Sequence, residues 1–117
     1  LPWKEEIIKV DHIKICKRIS ANTSKSFVMC PGKAYDRSPC GTGLSAEMAL
    51  QYKRGILTVG EPYFGESIIG SRFEGRLTST VKVGNYQAVV PEISGKAYIT
   101  ALNQFVIDQN DPFKLGI

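Results

Sequence analysis

The chain has 117 residues, 43% of them hydrophobic, and its 15 lysines and arginines outweigh 11 acidic residues for a net charge of +4. That composition suits one modest globular domain rather than a disordered segment. No apolar run approaches the roughly 20 residues of a membrane span, LPWKEEIIKV carries charge where a signal peptide needs an apolar centre, and the basic residues are dispersed, so neither a membrane nor nucleic acid is an expected partner.

HIKIC alternates, with Ile13 and Ile15 on one side and Lys14 on the other, and predicts a strand. KSFVMC, after the polar loop SANTS, predicts a second. Lys14, Lys17 and Arg18 form the densest basic stretch and read as a solvated face. Leu44, Met48 and Tyr52 stand four apart and predict a helix over 45–54, ended by Gly55. Beyond Gly60, ESIIG, RFEGRLTSTVKV, YQAVV and KAYITALNQFVI are rich in β-branched and aromatic residues and predict strands. Gly84-Asn85 predicts a two-residue hairpin turn between the middle pair. The expected class is α+β, with strands packed on one helix and no linker dividing the chain. Cys16, Cys30 and Cys40 lie in unlike contexts, without CxxC spacing, so neither a disulfide framework nor a metal site is expected and a reducing cytoplasm fits best. Cys30 reads as core packing. The chain starts at Leu1 rather than at methionine, which fits a piece of a longer protein.

DRSPCGTG, at 36–43, sets a thiol between a proline and a glycine-rich turn that opens the helix. Pro39 stiffens the approach. Gly41 and Gly43 carry no side chains, so the N–H groups at the helix start can approach a ligand closely. The unpaired N–H groups and the helix dipole attract an anion there, and the same field favours a thiolate at Cys40, which becomes a candidate base or nucleophile. Asp36 supplies a carboxylate for a cationic group. Anion receptor, thiol and carboxylate together describe a site for an amino acid.

The runs FVMCPGKAYDRSPCGTGLSA, GESIIGSRFEGR and ISGKAYITA resemble the proline racemase family, and within it the 4-hydroxyproline 2-epimerases, from about His12 to the C-terminal DPFKLGI. The resemblance implies a diaminopimelate epimerase-like fold, a curved mixed sheet around a central helix in each of two domains. This chain would be the C-terminal portion, largely the second domain, its final strand packing on an upstream first domain. It further implies a mechanism without cofactor or metal, in which two cysteines face each other across the substrate α-carbon and one removes the proton that the other replaces. Cys40 matches the second cysteine. The first, in a Met-Cys-Gly-His type motif, is absent here, and neither Cys16 nor Cys30 has those neighbours. Asp36 is similar to the aspartate that holds the ring ammonium, the N–H groups of Gly41 and Thr42 to the pair that receives the carboxylate, and His12 to a histidine beside the substrate. Leu44 departs from the family's usual threonine and is expected to face the core.

The implied substrate is 4-hydroxyproline, with proline or a related hydroxyproline such as 3-hydroxyproline as the alternative. The implied partners are that small molecule, the upstream half of the same enzyme, and a second copy in a homodimer. The chain by itself is then expected to be inactive. A catalytically silent amino acid binding module is the rival from another class. A thiol redox protein ranks last, because no resolving cysteine stands near Cys40 in sequence.

Overall fold

The computed structural model describes residues 10–116, so most of the charged N-terminal stretch read against a signal peptide lies outside the described residues. Strands β1 (Ile13–Ser20) and β2 (Thr23–Cys30) form an antiparallel hairpin. A 3-10 turn at Pro31–Lys33 leads into β3 (Ala34–Asp36), and helix α1 (Gly41–Lys53) follows. The chain returns through β4 (Pro62–Ser67), β5 (Arg72–Val83) and β6 (Tyr86–Ser94). The sheet order is β1-β2-β4-β5-β6, with β3 also paired to β2.

One edge of β2 is divided between two partners. Thr23 to Ser26 run parallel to β4, opposite Phe64 to Ser67, while Val28 to Cys30 run antiparallel to β3, opposite Asp36 to Ala34. This division lifts the chain out of the sheet at Asp36 and delivers it to the start of α1.

The helix buries Leu44 and Met48 against Leu57, Tyr63 and Leu77, with Tyr52, Phe73, Val89 and Ile93 packed around them. Leu44 faces the core, as expected. Glycines let the helix sit close to the sheet: a methyl group built on Gly75 would stand 2.7 Å from Met48 Sδ, and one on Gly65 would stand 3.0 Å from Leu44 Cδ1. The same helix touches both outer strands, β1 through an ion pair from Lys14 to Glu47 and β6 through Val89 and Ile93. Five flat strands would set those edges roughly 19 Å apart, four gaps of about 4.8 Å, well beyond a helix about 10–12 Å across. The sheet therefore curls around α1, and the expected class, α+β with a curved mixed sheet on one central helix, holds.

Several local expectations are corrected. The loop at SANTS narrows to a turn at 21–22, and Thr23 and Ser24 already lie buried in β2. The helix starts at Gly41, four residues before the predicted span of 45–54, because Cys40 caps its first turn. Gly55, at φ +70, closes it as expected. In ESIIG only Glu66 and Ser67 belong to a strand. Ile68 and Ile69 stand exposed in a tight turn, closed by Gly70 N–H to Ser67 O at 3.0 Å and by the Ser67 and Ser71 hydroxyls at 2.6 Å. The long strand RFEGRLTSTVKV, its partner YQAVV and the turn at Gly84-Asn85 are found where the sequence puts them.

KAYITALNQFVI forms no strand. Residues 95–107 have no ladder partner among the described residues, and Tyr98, Ile99, Leu102, Phe105 and Val106 are all more than four-fifths exposed. A β-prone segment without an edge to pair with has no hydrogen-bonding partner to make it a strand.

Candidate active site

Cys40 is the N-cap of α1 and holds φ 64 and ψ 106, a left-handed conformation that a residue with a Cβ rarely adopts. Such a residue costs about 1–3 kcal/mol and persists only where its surroundings impose it. Here the surroundings form a chain of hydrogen bonds. Asp36 Oδ1 accepts from Ser38 N–H at 2.8 Å, Ser38 Oγ accepts from Cys40 N–H at 3.0 Å, and Cys40 Sγ accepts from Gly43 N–H at 3.3 Å. Buried Pro39 packs beneath, against Gly65. The Asp36 carboxylate, four residues before the thiol, thus sets the backbone that aims it.

The first acceptor of the helix is Cys40 O, taken by Leu44 N–H at 2.8 Å. The N–H groups of Gly41 and Thr42 precede it and have no acceptor within the helix. They point out of the helix start and are free for an anion.

A cavity of about 680 Å³ opens in front of Cys40. Its lining includes four of the five residues singled out from the sequence: His12, Asp36, Cys40 and Thr42, while Gly43 rather than Gly41 completes the glycine-rich wall. Strand register explains the convergence. Lys14 lies opposite Val28 on one side of β2 and Asp36 opposite the same Val28 on the other, so one cross-strand row faces the helix start. His12 and Cys16 flank Lys14 at the two-residue strand spacing, and Cys30 stands two residues beyond Val28.

His12 is held by Asp11, Nδ1 to Oδ1 at 2.8 Å. An ionised carboxylate only accepts, so Nδ1 carries the proton and Nε2 is left for a second partner. The hydrogen bond from His12 keeps the Asp11 carboxyl below its ordinary value. Asp36 keeps Oδ2 beyond its bond to Ser38, a vacant acceptor for a cation.

Three cavity residues escaped the sequence reading. Lys14 is not part of a solvated face: its side chain is only 14% exposed and its ammonium stands 2.7 Å from Glu47 Oε2. Cys30 is not core packing. It is half-buried and lines the cavity with Cys40. Glu47 is buried on the helix, with Tyr63 O–H donating to Oε1 at 2.9 Å. Burial pushes the Glu47 carboxyl up, but the Lys14 ammonium, Ser24 and Tyr63 together outweigh it and hold the group below its usual range. Burial, aided by the adjacent Glu47 charge, pushes the Tyr63 hydroxyl up to about 12. The signal available in sequence was the two-residue spacing of His12, Lys14 and Cys16, which puts Lys14 on the side of a candidate site residue.

The arrangement can receive a zwitterion. A carboxylate fits the helix start, an ammonium fits Asp36, and a thiol stands between them. All three cysteines are free thiols. No group of three or more His, Cys, Asp or Glu side chains among the described residues could hold a metal ion, and no helix among them is long and apolar enough to cross a membrane.

Comparison with known proteins gives the family. The profile described as proline racemase matches residues 1–117. The proline racemase of Acetoanaerobium sticklandii is 46% identical over 117 residues, covering 98% of this chain and 35% of that protein. The 4-hydroxyproline 2-epimerase of Shewanella loihica is 54% identical over 84 residues, covering 72% of this chain and 25% of that protein. Among solved structures, a hydroxyproline epimerase from Agrobacterium vitis with bound trans-4-hydroxy-L-proline superposes with a TM-score of 0.75 at 31% identity, covering 92% of this chain and 31% of the other. The chain thus spans about a third of the length, or less, of the relatives it matches. A match along its whole length, together with the shared fold, shows that the chain belongs to the proline racemase family.

Proposed function

We propose that the protein carrying this chain inverts 4-hydroxyproline at its α-carbon, converting trans-4-hydroxy-L-proline to cis-4-hydroxy-D-proline, and that this chain supplies one of the two bases. The observation that carries the reading is Cys40, held in a left-handed conformation with its thiol beside a helix start that lacks acceptors for two N–H groups and beside Asp36.

The substrate carboxylate accepts from the Gly41 and Thr42 N–H groups, and its ring ammonium donates to Asp36. In one direction the Cys40 thiolate takes the α-proton and becomes a thiol. The electron pair left on carbon delocalises into the carboxylate, where the helix start stabilises the growing charge. A thiol on the opposite face then gives a proton to carbon and becomes a thiolate. In the reverse direction the roles exchange, so no redox cofactor or metal is required. His12 Nε2 lies on the cavity wall, where it can accept from the ring hydroxyl or the ammonium.

The second thiol belongs to the upstream half of the enzyme, and the chain by itself is inactive. The exposed apolar side chains of 98–106 pack on that half. A reducing compartment, the cytoplasm, suits three free thiols in one chain. Proline itself is the second reading, favoured by the 46% identity to a proline racemase over 117 residues.

The test is exchange of the α-proton in D₂O, followed by NMR, with the full-length protein and its Cys40→Ala variant. Deuterium incorporation into trans-4-hydroxy-L-proline with appearance of the cis-D epimer, lost in the variant, is the expected result. Faster exchange on proline replaces the substrate. A folded protein with no exchange on 4-hydroxyproline, 3-hydroxyproline or proline is a silent binding module.

A further inference from the structure

Lys14, Glu47 and Tyr63 come from a strand, the helix and a second strand, and their polar atoms meet beside the site without belonging to the mechanism above. Lys14 is the only residue of β1 that is not exposed. Its stem crosses Gly43: a methyl group built there would stand 3.0 Å from Lys14 Cδ and 3.3 Å from Cys40 Sγ, so stem and thiol flank the same glycine. One turn further along the helix, the ammonium reaches Glu47 Oε2 at 2.7 Å. Tyr63 holds the other carboxylate oxygen at 2.9 Å, so the acid has no freedom to follow solvent.

The pair is electrically neutral, and its field at the thiol is that of a small dipole rather than of a charge. Its geometric effect is larger. The β1 edge has no other close tie to α1 among the hydrogen bonds of the described residues, and the first helical turn is the part of α1 that carries Cys40. We propose that the Lys14–Glu47 pair is the clamp that sets the position of the Cys40 thiol over the substrate, with Lys14 as a positioning residue for the reaction. The proposal rests on the reading of Cys40 as an acid/base group.

The experiment compares the full-length wild type with Lys14→Met, which keeps the stem and loses the pair, and with the exchanged pair Lys14→Glu/Glu47→Lys, which restores it in reverse. A displaced base costs rate rather than binding, and a misplacement near 1 Å is worth about 100-fold. Lys14→Met is expected to lower kcat by about 10- to 100-fold with KM within about threefold. The isotope effect on an α-deuterated substrate should rise in one direction only, that in which Cys40 takes the proton. The exchanged pair should recover kcat to within a few-fold of wild type.

Wild-type kcat in Lys14→Met overturns the proposal, as does an isotope effect raised equally in both directions. If Lys14→Met does not fold, the exchanged pair decides: folded and active supports the clamp, while unfolded, or folded with kcat down 10-fold or more, overturns it. If the wild type exchanges none of the three substrates, the proposed function fails separately. The clamp is then read from the rate at which iodoacetamide alkylates Cys40, followed by peptide mass spectrometry, and an unchanged rate in Lys14→Met overturns it.

Discussion

The conformation of Cys40 makes a prediction that needs no substrate. Replacing it by alanine or by glycine removes the thiol and its 3.3 Å bond from Gly43 N–H in both cases, so the loss of the cap cancels between the two variants. They differ in the Cβ, which alanine keeps at φ 64 and ψ 106 and glycine does not have. The left-handed conformation costs a residue with a Cβ about 1–3 kcal/mol. Glycine loses about 0.5–1 kcal/mol more backbone entropy on folding than alanine. The difference leaves Cys40→Gly more stable than Cys40→Ala by about 1 kcal/mol, an inversion of the usual order of the two residues. Urea unfolding of the full-length variants, compared at equal m-values, measures it. Both variants should be inactive, so stability and activity separate at this position. If the alanine variant proves equal to or more stable than the glycine variant, Cys40 is not strained, and the hydrogen bonds that Asp36 Oδ1 and Ser38 Oγ accept do not impose its conformation.

Other outcomes follow from the packing and the charges. Glu47 has its folded carboxyl held below the ordinary 4.5, so its stabilising contribution is fully present above that value and is lost as pH falls through the lower folded value. Glu47→Gln should therefore flatten part of the acid limb of a stability profile, and an unchanged limb would remove Glu47 from it. Gly75→Ala forces a methyl against Met48 Sδ and should cost about 1–3 kcal/mol, with a cost in the Met48→Ala background that is clearly smaller, measured by a double-mutant cycle. His12→Ala should reduce the preference for hydroxyproline over proline in kcat/KM, whereas unchanged kinetics would leave the histidine with only its bond to Asp11.

The site was legible where chemistry is local. DRSPCGTG carries its own turn, its own cap and its own carboxylate within eight consecutive residues, so a thiol at a helix start could be read directly. The hairpin at Gly84-Asn85 and the end of the helix at Gly55 were legible for the same reason, since each depends on the conformation of one or two residues. Length and alternation placed β5 and the face of α1 that carries Leu44 and Met48.

What only the tertiary structure decided is everything that depends on a neighbour distant in the chain. Lys14 has the same composition and spacing whether it meets water or Glu47, 33 residues away, and register alone put it inside. Cys30 follows the same rule, turned toward the cavity because β2 spends the end of one edge on β3. KAYITALNQFVI has the composition of a strand, yet a strand exists only where a second edge supplies its hydrogen bonds, and none of the described residues does so. By itself the sequence determined the residues that can do the chemistry, because backbone conformation and side-chain type are local properties. Burial and pairing are not, and they determined which of those residues share one cavity.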